Sequence, residues 1–183
     1  MKYNKIGIIC AMATEAEQLL AAMKNKATKS VGSMEFHEGT VGEKKVVLCI
    51  CGIGKVFAAM CAQAMILNYS PDAIINTGVA GTLSGTLSIG DIAVSKDVVQ
   101  HDMDTFGDPP GLIPGLDLIH LPCSGAEEHA AALTGPGGTP CAGIIVSLGT
   151  VPVGDEPVGT ADIAVNAGVD DLLQLAIDVV GTL

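Results

Sequence analysis

At 183 residues, 49% hydrophobic and with a formal net charge of −11, the chain has the length of one domain with a buried core. Its negative charge excludes nucleic acid as an expected partner, and no apolar run reaches the about 20 residues of a membrane span. No charged leader with a cleavage site opens the chain, so the cytoplasm is the expected location.

In chain order, Ile6-Gly7-Ile8-Ile9-Cys10 is a continuous apolar run, as a buried parallel strand is. It ends at Ala11-Met12-Ala13-Thr14-Glu15. Thr14 is the expected N-cap of a helix with Glu15 and Glu17 in its first turn, and Leu19, Leu20 and Met23 carry that helix to about Lys26. Met34-Glu35-Phe36-His37-Glu38-Gly39 alternates like a half-exposed strand, and Gly42-Glu43-Lys44 turns into the strand Lys45–Ile50. Cys51-Gly52-Ile53-Gly54-Lys55 follows. From Lys55 to about Tyr69, the residues Val56, Ala59, Met60, Ala64 and Leu67 recur at helical spacing, and Ser70-Pro71-Asp72 stops the helix. Ala73-Ile74-Ile75 then leads into Asn76-Thr77-Gly78-Val79-Ala80-Gly81. Residues 89–95 read as another strand. Residues 102–143 are loop-rich in Gly and Pro. A buried strand returns over 143–147, residues 148–160 read as a loop, and Asp170-Asp171 opens a last helix. Strands alternating with helices give an α/β fold with a largely parallel or mixed sheet.

Three of these strands end in residues suited to a ligand. Ligands bind where parallel strands end, and glycine there lets backbone amides approach closely. Glu15 is either a site carboxylate or a helix-start residue favoured by the dipole. Lys55 opens a helix after two glycines, but the spacing is not that of a Walker loop; a lysine facing solvent or a nearby carboxylate is expected. His101, Asp102 and Asp104 have no second His or Cys at metal-ligand spacing, so no metal is expected. Met60, Met65 and Met103 read as core. The six cysteines, mostly within apolar runs, read as buried thiols rather than disulfides. All nine basic residues are lysines, the last being Lys96, and thirteen acidic residues follow with no basic one among them.

Taken together, several motifs resemble the 5'-methylthioadenosine/S-adenosylhomocysteine nucleosidases. They are Ile8-Ile9-Cys10-Ala11-Met12 with Glu15, Met34-Glu35-Phe36 with Glu38-Gly39, Gly52-Ile53-Gly54-Lys55, and Ile75-Asn76-Thr77-Gly78-Val79-Ala80-Gly81. Gly90-Asp91-Ile92, Val99-Gln100-His101-Asp102-Met103-Asp104, Phe106-Gly107 and Pro114-Gly115 continue in register. The resemblance runs over residues 5 to about 117. It implies a single nucleoside phosphorylase-like domain over 1–183, a three-layer α/β sandwich with a mixed central sheet flanked by helices. It also implies a homodimer and a reaction that needs no cofactor.

The implied reaction is hydrolysis of the N-glycosidic bond of an adenine nucleoside, releasing adenine. Two carboxylates in unlike environments divide the proton transfers. Asp162 would be the general acid that protonates adenine, with a pKa raised by burial, and Glu15 the base that positions water. Met12, Ile53 and Phe106 would line the apolar part of the pocket, for which core packing is the plain alternative for Met12 and Ile53. Phe106 and Pro114 would reach the partner's site. Val79 falls where some family members place a serine, and Val146-Ser147 marks the adenine-binding strand end. The chain departs from the family after residue 117. Val146-Ser147-Leu148-Gly149-Thr150 lacks the family's Gly-Asp, the ribose-holding Val-Glu-Met-Glu-Gly segment is missing, and Val158-Gly159-Thr160-Ala161-Asp162 keeps the Asp without the Arg or Ser. The chain is thus shortened between about 148 and 161. Asp162-Ile163-Ala164 and Asp170–Ala176 resemble the family's last helix again. The alternative function is a homologue that only binds adenine nucleosides or dimerises. A phosphorylase would want arginines for phosphate, and the chain has none.

Overall fold

Strand β1 (Lys5–Cys10) lies at the centre of the architecture, and its apolar residues leave no face for solvent: Ile6, Ile8, Ile9 and Cys10 are all buried. Helix α1 (Ala13–Ala22), strands β2 (Lys24–Val31), β3 (Met34–Val41) and β4 (Lys44–Ile50), helix α2 (Lys55–Tyr69) and strand β5 (Ala73–Val79) follow. Beyond them lie β6 (Asp91–Val94), β7 (Asp97–Val99), β8 (His120–Pro122), β9 (Ile144–Gly149) and β10 (Ile163–Asn166). The computed structural model describes residues 3–79, 91–94, 97–123, 144–149 and 163–166, with side chains described for 3–79 and 97–123.

The main sheet runs β10-β6-β9-β5-β1-β4-β3-β2. It is mixed. β1 is parallel to β4 and β5, β2 and β3 form an antiparallel meander with β4, β9 is antiparallel to β5 and parallel to β6, and β10 is antiparallel to β6. β7 and β8 pair separately.

Alternation along the strands divides the core into two faces. Ile9, Phe36, Val47 and Cys49 pack with Cys61, Met65 and Tyr69 of α2, and Ile74 joins them. Ile6, Ile8, Val46 and Leu48 have the opposite parity and are equally buried. On that second face, at the end of α1, the Met23 side chain lies against Gly39, whose register partner is Val46. α1 itself packs on β1, β4 and β5. One helix on each face of the sheet makes the three layers that the sequence leads one to expect. Truncating a wholly buried side chain such as Phe36 would cost about 3–5 kcal/mol.

One residue fixes how β5 sits beside β1. The Asp72 carboxylate accepts the backbone N–H groups of Asn4 (2.7 Å) and Lys5 (2.9 Å), and Asp72 N–H donates to Lys5 C=O (2.8 Å). This pin sets Ile6 opposite Ala73 and Ile9 opposite Asn76. The register then carries Gly78 and Val79 past the end of β1.

Some expectations change. α1 ends at Ala22, not near Lys26: Met23 is extended (φ −66, ψ 134) and donates its N–H to Leu19. Lys24, Lys26 and Lys29 belong instead to β2, an exposed edge strand held by its backbone ladder to β3. Lysines along such an edge discourage pairing with other chains. Thr14 is not the N-cap. That position is Met12 (φ −127, ψ 153), and Thr14 lies inside the helix. Leu148 and Gly149 belong to β9, not to the following loop. Ile163 and Ala164, which resemble the family's last helix, form a strand paired to β6. The expected helix after Asp170 lies outside the described residues.

Candidate active site

The ends of β1, β4 and β5 meet around one carboxylate. Cys51 N–H donates to Cys10 C=O at 2.8 Å, joining the ends of β4 and β1. The chain then leaves β1 for α1, and the Glu15 side chain folds back over the junction. Its Oε2 accepts the N–H groups of Ala11 and Met12, both at 2.8 Å, while its Oε1 accepts the N–H of Val79 at 2.9 Å. Two of these donors are orphan amides at the start of a helix, which a first-turn glutamate satisfies. The third comes from β5, sixty-four residues away in the chain. Glu15 therefore ties the helix start to the strand end.

Gly78 makes that tie possible. A Cβ at position 78 would stand 2.6 Å from Glu15 Oε1 and 2.9 Å from its Cδ. The Gly78 backbone does not adopt positive φ, so conformational freedom does not account for the glycine. The space that a side chain would fill is taken by the carboxylate. The sequence suggests glycine for the approach of a ligand; the structure shows clearance for the protein's own acid.

A carboxylate offers about four lone-pair sites. Among the described residues Oε2 accepts two N–H groups and Oε1 one, so Oε1, on the Val79 side, has an acceptor site that none of them takes. The Val79 side chain is half exposed beside it, and Met12 is partly buried at the helix start. Beneath the carboxylate lie buried thiols. Burial, and after it the charge of Glu15, pushes Cys10 up to about 12, and burial with the neighbouring Cys49 raises Cys51. Such thiols are poor nucleophiles. Cys49 and Cys61 are likewise buried, in line with the expectation of thiols rather than disulfides. Cys51 is a site neighbour that sequence reading misses; its place directly after a strand and before the glycine turn is the available signal.

The turn Gly52-Ile53-Gly54 continues the site's rim. Gly52 (φ +92) and Gly54 (φ +114) occupy backbone regions that favour glycine. Ile53 is 73% exposed, which rules out core packing. Lys55 donates to Asp102 Oδ1 at 2.5 Å and Gln100 Oε1 at 3.4 Å, so the nearby-carboxylate expectation holds. That hydrogen bond is the main reason the Asp102 carboxyl sits below its usual range. Among the described residues no cluster of three or more His, Cys, Asp or Glu side chains is placed to hold a metal ion. No described helix is long and apolar enough to cross a membrane.

Of the expected site residues, the structure gathers Glu15, Met12 and Val79, with Ile53 on the adjacent turn. Phe106 is fully exposed, as is much of Pro114, and both project from the 97–123 unit. Val146 and Ser147 sit in β9 opposite Thr77 and Asn76, one and two rungs back from Gly78. Because β9 runs antiparallel to β5, Leu148 and Gly149 lie beside Ile75 and Ile74, away from the Glu15 end. The end of β9 is thus not where the resemblance implies. Asp162 lies outside the described residues; the strand that follows it, β10, is separated from β5 by β6 and β9. Met60, expected in the core, is exposed, whereas Met65 is fully buried.

Comparison with known proteins agrees with this fold. A family model described as the phosphorylase superfamily matches residues 5–181. A 5'-methylthioadenosine/S-adenosylhomocysteine nucleosidase of Shewanella sp. (strain MR-7) is 48% identical over 128 residues, covering 69% of this chain and 54% of that protein. The chain thus spans about half the length of the curated relatives it matches. Among solved structures, an S-adenosylhomocysteine nucleosidase of Streptococcus pyogenes in complex with 5-methylthiotubericidin superposes with TM-score 0.66 at 32% identity, covering 73% of this chain and 56% of that one. The corresponding nucleosidase of Colwellia psychrerythraea in complex with adenine gives 0.67 at 28% identity, covering 73% and 56%.

Proposed function

The chain belongs to the phosphorylase superfamily, and from that membership and the seating of Glu15 we propose that it hydrolyses the N-glycosidic bond of 5'-methylthioadenosine or S-adenosylhomocysteine. Water, whose proton passes to Glu15 Oε1, attacks the anomeric carbon as the C–N bond breaks. The leaving adenine takes a proton from Asp162, and the thio-substituted ribose departs with the water's hydroxyl. The observation that carries this reading is the three-amide seat of Glu15, which fixes one acceptor lone pair at the ends of three strands. Met12, Ile53 and Val79 line the pocket on this side, and Val146 and Ser147 lie in β9 one and two rungs back from Gly78. The names of the relatives, and the adenine bound by the Colwellia protein, support the choice of an adenine nucleoside.

We take residues 1–183 as one domain, shortened between about 148 and 161, acting in the cytoplasm without metal or cofactor. A second copy docks on the outer face of α2. Val56, Phe57, Met60 and Leu67 are all exposed there, as is Ile53 on the turn just before it, the kind of apolar surface that marks an interaction site. From that second copy, Phe106 and Pro114 would reach the site.

Adenine release from methylthioadenosine tests the reading. The wild type should release adenine, and Glu15→Gln and Asp162→Asn should each lose about 10²-fold or more, the usual weight of a general acid or base. No release by the wild type, or release unchanged in both variants, overturns it. Loss in Glu15→Gln alone keeps the hydrolysis and moves the acid elsewhere.

A further inference from the structure

The segment between β7 and β8 is tied to itself more than to the sheet. Met103 N–H donates to Gln100 C=O (2.9 Å), Gly111 N–H to Met103 C=O (2.8 Å) and Asp108 N–H to Thr105 C=O (3.1 Å), and the Thr105 hydroxyl donates to Asp108 Oδ2 (2.9 Å). Gly111 packs so closely on Val99 and Ile119 that a Cβ there would stand 3.1 and 3.3 Å from their side chains. The segment is therefore a loop closed on itself by its own hydrogen bonds. Phe106, at its tip, touches nothing that shields it from solvent.

Among the described residues, the side-chain hydrogen bonds that join 97–122 to α2 run through Lys55. Lys55 is the first residue of α2, directly after the glycine turn. That is the unfavourable end of the helix dipole for a cation, and the side chain is exposed, so packing does not ask for a lysine there. Its ammonium spans two acceptors on one loop instead.

We propose that Lys55 is a positioning residue: by holding Asp102 and Gln100 it fixes the Phe106-bearing loop relative to the glycine turn, and so governs substrate capture rather than bond cleavage. The part concerning substrate rests on the nucleosidase reading above. The ion pair is exposed, so its effect is modest and sensitive to salt.

Two measurements on the whole chain separate the parts. The chain has no tryptophan, so Phe106→Trp reports the loop alone. Its fluorescence anisotropy should fall when Lys55→Met is added, stay near the parent value with Lys55→Arg, and fall in the parent as salt rises. Anisotropy indifferent to Lys55 overturns the proposal, whether or not the protein hydrolyses nucleosides. With Phe106 intact, Lys55→Met should raise KM for methylthioadenosine about two- to fivefold at low salt, the range that an exposed ion pair can span. In that variant kcat should be held, and the gap should close at high salt. A fall in kcat at unchanged KM, or no change in either, overturns the role in substrate capture. Absence of adenine release from the wild type sinks the nucleosidase reading and with it that role, while the anisotropy still decides whether Lys55 holds the loop.

Discussion

Replacing Gly78 by alanine adds one methyl group and tests the central feature of the site. The new Cβ would lie 2.6 Å from Glu15 Oε1, 2.9 Å from Cδ and 3.2 Å from Oε2. Ordinary carbon–oxygen contact needs roughly 3.4 Å or more, so the carboxylate must retreat by about 0.8 Å. A retreat of that size takes Oε1 out of hydrogen-bond range of Val79 N–H, now at 2.9 Å. Hydrogen bonds to a charged group contribute about 1.5–3 kcal/mol, and about 1.4 kcal/mol is a tenfold change in rate. Adenine release by Gly78→Ala should therefore fall about 10- to 150-fold in kcat/KM. The backbone at residue 78 has a conformation open to alanine, so the fold should survive with a small loss of thermal stability. Steady-state kinetics and a melting curve check both halves. Activity within about threefold of wild type would refute the reasoning, because a misplaced base ought to cost more than that.

Two further outcomes follow from side chains away from the site. The Tyr69 hydroxyl is buried with no hydrogen-bond partner, while its ring packs on Phe36 with centroids 5.2 Å apart; Tyr69→Phe keeps the ring contact and removes an unsatisfied group worth about 1–3 kcal/mol of desolvation, so urea unfolding should show unchanged or higher stability, and a loss above about 1 kcal/mol would contradict the burial. The N–H groups of Lys5 and Asn4 hold the Asp72 carboxyl below the usual aspartate range; a group depressed by folding contributes stability above its unfolded value of about 4 and loses it as pH falls through the folded one, so wild type and Asp72→Asn should differ in urea midpoint near pH 7 and converge in strong acid, and a gap that persists below about pH 2 would show that the carboxylate is not its source.

How much of this was legible in the sequence depended on where the stabilising contacts come from. β1 and β4 are buried on both faces over Ile6–Cys10 and Val46–Cys49, and β5 is largely buried over Ala73–Ile75, and these stretches announce themselves as apolar runs. Helix α2 was legible to its bounds, yet of the residues that revealed it Val56, Ala59, Met60 and Leu67 lie on its outer face, and only Ala64 packs inward with Cys61, Met65 and Tyr69. Apolar periodicity cannot separate two apolar faces of one helix. β2 was invisible because Lys24–Val31 is an exposed, polar strand held chiefly by its backbone ladder to β3. Thr14 looked like the cap because threonine is a good one; Glu15, bonded back to Met12, moved the start of the helix two residues upstream. The glycine at 78 was legible as a marker of the site, but its reason was not, since the atom it accommodates lies sixty-three positions away.

The two sides of the proposed site are built differently, and this bears on how each would respond to mutation. Ala11, Met12 and Glu15 come from one turn of chain, and only the amide of Val79 arrives from elsewhere, through a register pinned by Asp72 at the far end of the same strands. Once β1 and β5 pair, the seat is complete, so most substitutions on the first 79 residues that spare the fold should leave the base in place. Asp162, the proposed acid, precedes β10, a strand separated from β5 by two others. The proposed base should therefore tolerate surface change and fail at Gly78, while a shift of β6, β9 or β10 would bear on the proposed acid. If the chain hydrolyses nucleosides, variation in rate among surface substitutions should therefore concentrate after residue 80 rather than before it.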